Sequence, residues 1–100
     1  MKQSMQVLTS QETVEWYTPP EIIERARVVL GTIELDPMSA ELPQTWIKAT
    51  CYHTLAKPAT TPWEGRVWLN PPNDMAVKAI ENLDKAFAAR RVPEAVALIN

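Results

Sequence analysis

The sequence predicts an α/β domain, a mostly parallel sheet with flanking helices. Three observations carry this. Helical periodicity and strand-like runs alternate along the chain, which favours parallel pairing through crossover helices. The run Ala95-Val96-Ala97-Leu98-Ile99 is apolar throughout, as in a parallel strand buried on both faces. Two other strand-like runs stop abruptly, at Asp36-Pro37 and at Asn70-Pro71-Pro72. In open α/β sheets, ligands bind at the C-terminal ends of strands.

The elements follow in order. Residues 1–14 are polar and read as an N-terminal arm outside the domain. Thr18 is a good N-cap, Pro19 suits the first helical position, and Glu21 completes a capping box. Ile22, Ile23, Ala26, Val29 and Leu30 recur at helical spacing until Gly31, so a helix is expected over 18–30. Ile33 and Leu35 alternate with polar residues, predicting a strand near 32–36 that Asp36-Pro37 ends. Residues 37–46, with Pro43, read as a loop or short helix. A strand is expected near 47–53, with Cys51 half-buried in it. Residues 54–64, with Pro58 and Pro62, read as a loop. Val67, Trp68 and Leu69 have the character of a buried strand. Two prolines cannot continue a sheet, because neither donates a backbone N–H, so this strand ends at Asn70. A helix near 74–91 presents Ala76, Ile80, Leu83 and Phe87 as an apolar stripe.

The chain has 100 residues, 46% hydrophobic and 22% charged. That is the balance of a globular domain rather than a disordered tail. No apolar run reaches the roughly eighteen residues of a membrane span. The N-terminus lacks the apolar block of a signal peptide. Cys51 is the sole cysteine, which excludes an internal disulfide and a cysteine-based zinc cluster and fits a reducing cytoplasm. The formal net charge of −2 is not that of a typical nucleic-acid binder. Arg90-Arg91, the only adjacent basic pair, falls at a helix C-terminus, where the helix dipole favours cations. His53 carries no assigned role.

The chemistry lies at the chain breaks. Asn70 offers an amide that both donates and accepts hydrogen bonds. Carbonyls on a proline-stiffened backbone follow it, an arrangement suited to gripping a planar amine. Thr18 stands at a helix N-terminus, where free N–H groups favour an anion. Small residues follow Asp36-Pro37 and permit a ligand to approach the backbone closely. Gly31 and Gly65 are the only glycines, so a GxGxxG dinucleotide loop is excluded.

Tyr17-Thr18-Pro19-Pro20 before an apolar helix, then Leu35-Asp36-Pro37-Met38-Ser39, then Asn70-Pro71-Pro72, with Pro62-Trp63 between the last two, stand in a telling order. From about Glu15 to Asn100 the chain resembles the phage-type DNA N-6-adenine-methyltransferase (Dam-like) family. The resemblance implies a Rossmann-like S-adenosylmethionine-dependent fold. It also implies methyl transfer to the exocyclic amine (N6) of adenine, with double-stranded DNA as partner. Residues 15–100 would be the N-terminal part of the catalytic domain. Asn70 and the Pro71 carbonyl would hold the amine of a flipped base, with Pro72 and Asn73 completing the catalytic segment. Tyr17, Thr18, Pro19, Asp36, Pro37 and Ser39 would lie at S-adenosylmethionine. No metal is implied.

The chain departs from the family twice. Asn73 replaces the aromatic residue that stacks on the flipped base; Trp16 or Tyr17 could offer a ring instead. Leu55-Ala56-Lys57-Pro58-Ala59 lacks the acidic-glycine turn common at that place. A degenerate or truncated remnant that binds without turnover is therefore an alternative. Methylation of a small molecule or a protein amide is another, since the same grip serves glutamine amides. At roughly 11–12 residues per helix and 5–6 per strand, a complete methyltransferase sheet exceeds this length. The expectation is a partial domain whose Ala95–Ile99 strand forms an open edge able to self-associate.

Overall fold

The computed structural model describes residues 3–9 and 17–99. Strand β1 (Ser4–Thr9) leads to helix α1 (Pro20–Leu30) and strand β2 (Leu35–Ser39). Helix α2 (Gln44–Ile47), strand β3 (Cys51–Thr54) and strand β4 (Val67–Leu69) follow. A 3₁₀ turn (Asn73–Met75), helix α3 (Ala76–Ala88) and strand β5 (Glu94–Ile99) complete the order. All five strands pair in parallel, in the order β1-β5-β4-β2-β3. The α/β class and the parallel sheet are as expected from sequence. No described helix is long and apolar enough to cross a membrane.

Two apolar layers sandwich the sheet. Along β4, Val67 and Leu69 face α3, where they meet Leu83, Ala79 and Ala86. Trp68 faces α1 and packs with Ile23, Leu30 and Ile33. Strand β5 alternates likewise: Ala95 and Ala97 join the α3 layer, Val96 and Leu98 the α1 layer. This is the two-sided burial that its unbroken apolar run predicts. Strand β5 thus turns alanines to the α3 layer and the larger Val96 and Leu98 to the α1 layer.

Several expectations need correction. The arm reading fails for residues 4–9, which form β1, paired with β5 from Ser4↔Glu94 to Thr9↔Ile99; residues 1–2 and 10–14 lie outside the described residues. Consequently β5 is not an edge, because β1 covers one side and β4 the other. The open edge invoked for self-association is absent from that strand; the edge strands are β1 and β3.

Helix α1 starts at Pro20, with Pro19 as N-cap and no side-chain cap bond. Thr18 is not the cap, because a tertiary partner claims its hydroxyl. Gly31 does end the helix, at φ 74°, a conformation that favours glycine. Strand β2 runs through Asp36-Pro37 to Ser39 instead of stopping. Its ladder is irregular between Asp36 and Ser39, and it meets β4 only at Leu35↔Val67. Pro37 thus sits where the missing N–H interrupts little regular pairing. Cys51 is exposed, not half-buried, because β3 is an edge strand.

Candidate functional site

The path of the chain creates the site. From β2 the chain moves outward to β3, then crosses back over β2 to enter β4 on the other side. This reversal is a topological switch point, where doubly wound sheets open a crevice beyond their strand ends. A narrow crevice open to solvent lies there, with about 240 Å³ of empty space when the adjoining solvent is included. Tyr17 and Thr18 line it from the approach to α1, Asp36 and Ser39 from β2, and Trp68 and Asn70 from the end of β4. Met38, Ala40, Pro43 and Ile47 complete the wall.

Burying a polar group costs free energy unless its hydrogen bonds are met. Four polar or charged residues are buried among the described residues: Thr18, Asp36, Ser39 and Asn70. All four line this one crevice. The rest of the interior is apolar, so the domain concentrates its buried polarity at the switch point.

The polar groups form a connected set. Asn70 Nδ2 donates to Thr18 Oγ1 at 2.8 Å, which orients the amide and ties the end of β4 to the start of α1. The Thr18 carbonyl accepts from Trp46 Nε1 at 2.9 Å, so α2 joins the same corner. Gln44 Nε2 donates to Asp36 Oδ2 at 2.8 Å and to Ser39 Oγ at 2.9 Å. Gln44 Oε1 in turn accepts from the Ala49 N–H at 3.0 Å. One glutamine thereby holds the acid in place and anchors the loop entering β3. Arg27 donates to the Ile47 and Trp46 carbonyls, fixing the end of α2 from α1.

Asp36 is 1% exposed. No lysine, arginine or histidine lines the crevice with it. Burial pushes its carboxyl from 3.8 up to about 7, while hydrogen bonds from Ser39, Gln44 and the Met38 backbone restrain the rise. Burial raises the acid toward neutrality, and no cation among the described lining residues compensates its charge.

Of the residues expected from sequence, Tyr17, Thr18, Asp36, Ser39 and Asn70 converge here. Pro19 caps α1 instead. Pro37 points to the opposite face and lines a second crevice of about 490 Å³, with Trp63, Met75 and Lys78. Pro71 is fully buried. The Pro72 carbonyl accepts the Met75 N–H at 2.9 Å, so it closes the 3₁₀ turn. Asn73 opens that turn and is exposed. Trp16 lies outside the described residues. Sequence reasoning missed Gln44, whose amide joins Asp36, Ser39 and Ala49 across irregular chain, and Trp46, whose partner Thr18 stands 28 residues away. It assigned Trp68 to a buried strand without anticipating that its ring borders the crevice. No family model, curated protein or solved structure matches the chain.

Proposed function

We propose that this chain is an S-adenosylmethionine-dependent methyltransferase domain, or the N-terminal part of one, acting on the N6 amine of adenine in double-stranded DNA. The observation that supports it best is the gathering of all four described buried polar residues at the switch-point crevice. The three sequence segments that resemble the family contribute them. The five described strands form an all-parallel sheet flanked by helices, which is consistent with a Rossmann-like domain.

The residues fit the cofactor's polar end. Asp36 is a buried acceptor without a protein cation, suited to a ligand ammonium. Tyr17 and Ser39 add hydroxyls on the same wall. The cofactor supplies an activated methyl group. The chain's own work is orientation. Asn70 Nδ2 is committed to Thr18, which sets Oδ1 as the acceptor for one amine N–H. The Pro71 carbonyl accepts the other, on a backbone that two prolines keep stiff. Fixing the nitrogen in line with the methyl carbon lowers the barrier by positioning.

Exposed Asn73 offers no ring to a flipped base, and this favours a second reading, a remnant that binds the cofactor without turnover. One experiment separates the readings. Calorimetric titration with S-adenosylhomocysteine is paired with transfer of labelled methyl groups to duplex DNA with and without adenine. Binding with adenine-dependent labelling is the expected result. Binding without transfer to any duplex supports the remnant. A folded chain that does not bind S-adenosylhomocysteine overturns both.

A further inference from the structure

Trp68 is fully buried, and its indole N–H has no hydrogen-bond partner. Leaving a buried donor unmet carries a desolvation cost, so this position has an unusual feature to explain. Trp68 also lines the switch-point crevice. The parallel register sets Leu35 opposite Val67. Asp36 and Trp68 are the next residues along the two strands, and both line the crevice. The Asp36 carboxyl takes its hydrogen bonds from Gln44, Ser39 and the Met38 backbone, not from the indole. A buried acceptor and a buried donor therefore border the crevice as neighbours, each directed to something other than the other.

We infer that Trp68 is a ligand-binding residue, and that Asp36 and Trp68 together hold an α-amino-acid group, the ammonium at Asp36 and a carboxylate oxygen at the Trp68 N–H. This inference rests on the proposed cofactor and adds the residue that recognises its amino-acid end. A zwitterion matches the pair because it brings both the cation that Asp36 lacks and the acceptor that Trp68 lacks. A neutral indole donor suits this place, since a lysine or arginine beside Asp36 would neutralise the acid and compete with the ligand ammonium. The adjacent Thr18 stands just before the N-terminus of α1, whose dipole also favours the carboxylate.

The test uses two ligands that differ only at this end. S-adenosylhomocysteine carries the amino acid, and 5′-methylthioadenosine does not. Trp68→Phe keeps an aromatic ring in the core and removes the N–H. The variant is expected to bind S-adenosylhomocysteine roughly tenfold or more weakly, as for loss of a hydrogen bond to a charged group, with unchanged affinity for 5′-methylthioadenosine. Equal weakening for both ligands, or none for either, overturns the inference. If Trp68→Phe fails to fold, the wild-type indole N–H resonance gives a second measurement. It must shift strongly with S-adenosylhomocysteine and little with 5′-methylthioadenosine; equal shifts overturn the inference. If wild-type protein binds 5′-methylthioadenosine and S-adenosylhomocysteine equally, the cofactor reading stands and only the amino-acid assignment falls.

Discussion

Asn70→Ala is expected to reduce methyl transfer to adenine by on the order of 10²–10³-fold, the range seen when one preorganised hydrogen-bonding group is removed from a transition state. Affinity for S-adenosylhomocysteine should survive, because the proposed role of Asn70 is to grip the amine and not the cofactor. The substitution also removes the bond to Thr18 Oγ1, so the start of α1 loses one tie to β4. The thermal transition must therefore be measured alongside activity. Asn70→Asp keeps an acceptor at the same place, and the Thr18 hydroxyl can donate to it. That variant should retain measurable transfer. Equal loss of affinity and activity in a folded Asn70→Ala protein would show that the residue serves the cofactor.

The second large effect concerns stability. The Asp36 carboxyl rises from 3.8 to about 7 on folding. Below about pH 4 it is protonated in both the folded and unfolded chain. Between about pH 4 and 7 the folded chain keeps the proton while the unfolded chain releases it. Stability contributed by this group is thus complete at low pH and is lost as pH rises through 7. At about 1.4 kcal/mol per pKa unit, the full loss is on the order of 4 kcal/mol. That is a large part of the roughly 5–15 kcal/mol that holds a domain together. The wild-type melting temperature should fall between pH 5 and pH 8. Asp36→Asn carries no charge and can still accept from Gln44, so its melting temperature should vary less and exceed the wild type at pH 8 by about 10 °C or more. Matching pH profiles for the two proteins would sink this assignment. On the proposed assignment of Asp36 to the cofactor's ammonium, the same variant should bind S-adenosylhomocysteine more weakly, an exchange of stability for function.

What the sequence revealed follows a physical division. The buried strands β4 and β5 were legible because burial on both faces leaves an unbroken apolar run. The convergence of Thr18, Asp36 and Asn70 was legible because parallel topology gathers the C-terminal ends of strands on one side, and Asn70-Pro71-Pro72 marks the end of β4. Thr18 as N-cap was misread because the local capping signal is identical whether or not a distant side chain takes the hydroxyl; its partner stands 52 residues away. Gln44 carried no local signal at all, as its amide works by reaching Asp36, Ser39 and Ala49 at once. Strand β1 was read as an arm because it lies within a mostly polar stretch, residues 1–14, although Met5, Val7 and Leu8 are apolar. An edge strand is held by its backbone ladder and needs no apolar pattern. The strand through Pro37 was cut short because a proline is excluded only from a regular ladder, and the irregularity there is a tertiary property.

The position of β1 beside β5 governs the order in which the molecule can be assembled. Ser4 pairs with Glu94 and Thr9 with Ile99, so β1, translated before the other described strands, cannot find its partner until they too have been translated. Closing so long a loop has an entropic cost before any pairing offsets it, and sheets with such distant contacts fold slowly. The neighbouring pairs β2–β3 and β4–β5 are close in sequence and are free to form first. Until β1 docks, the growing chain carries β5 with one unpaired rim, and at that stage capture by another chain competes with correct closure.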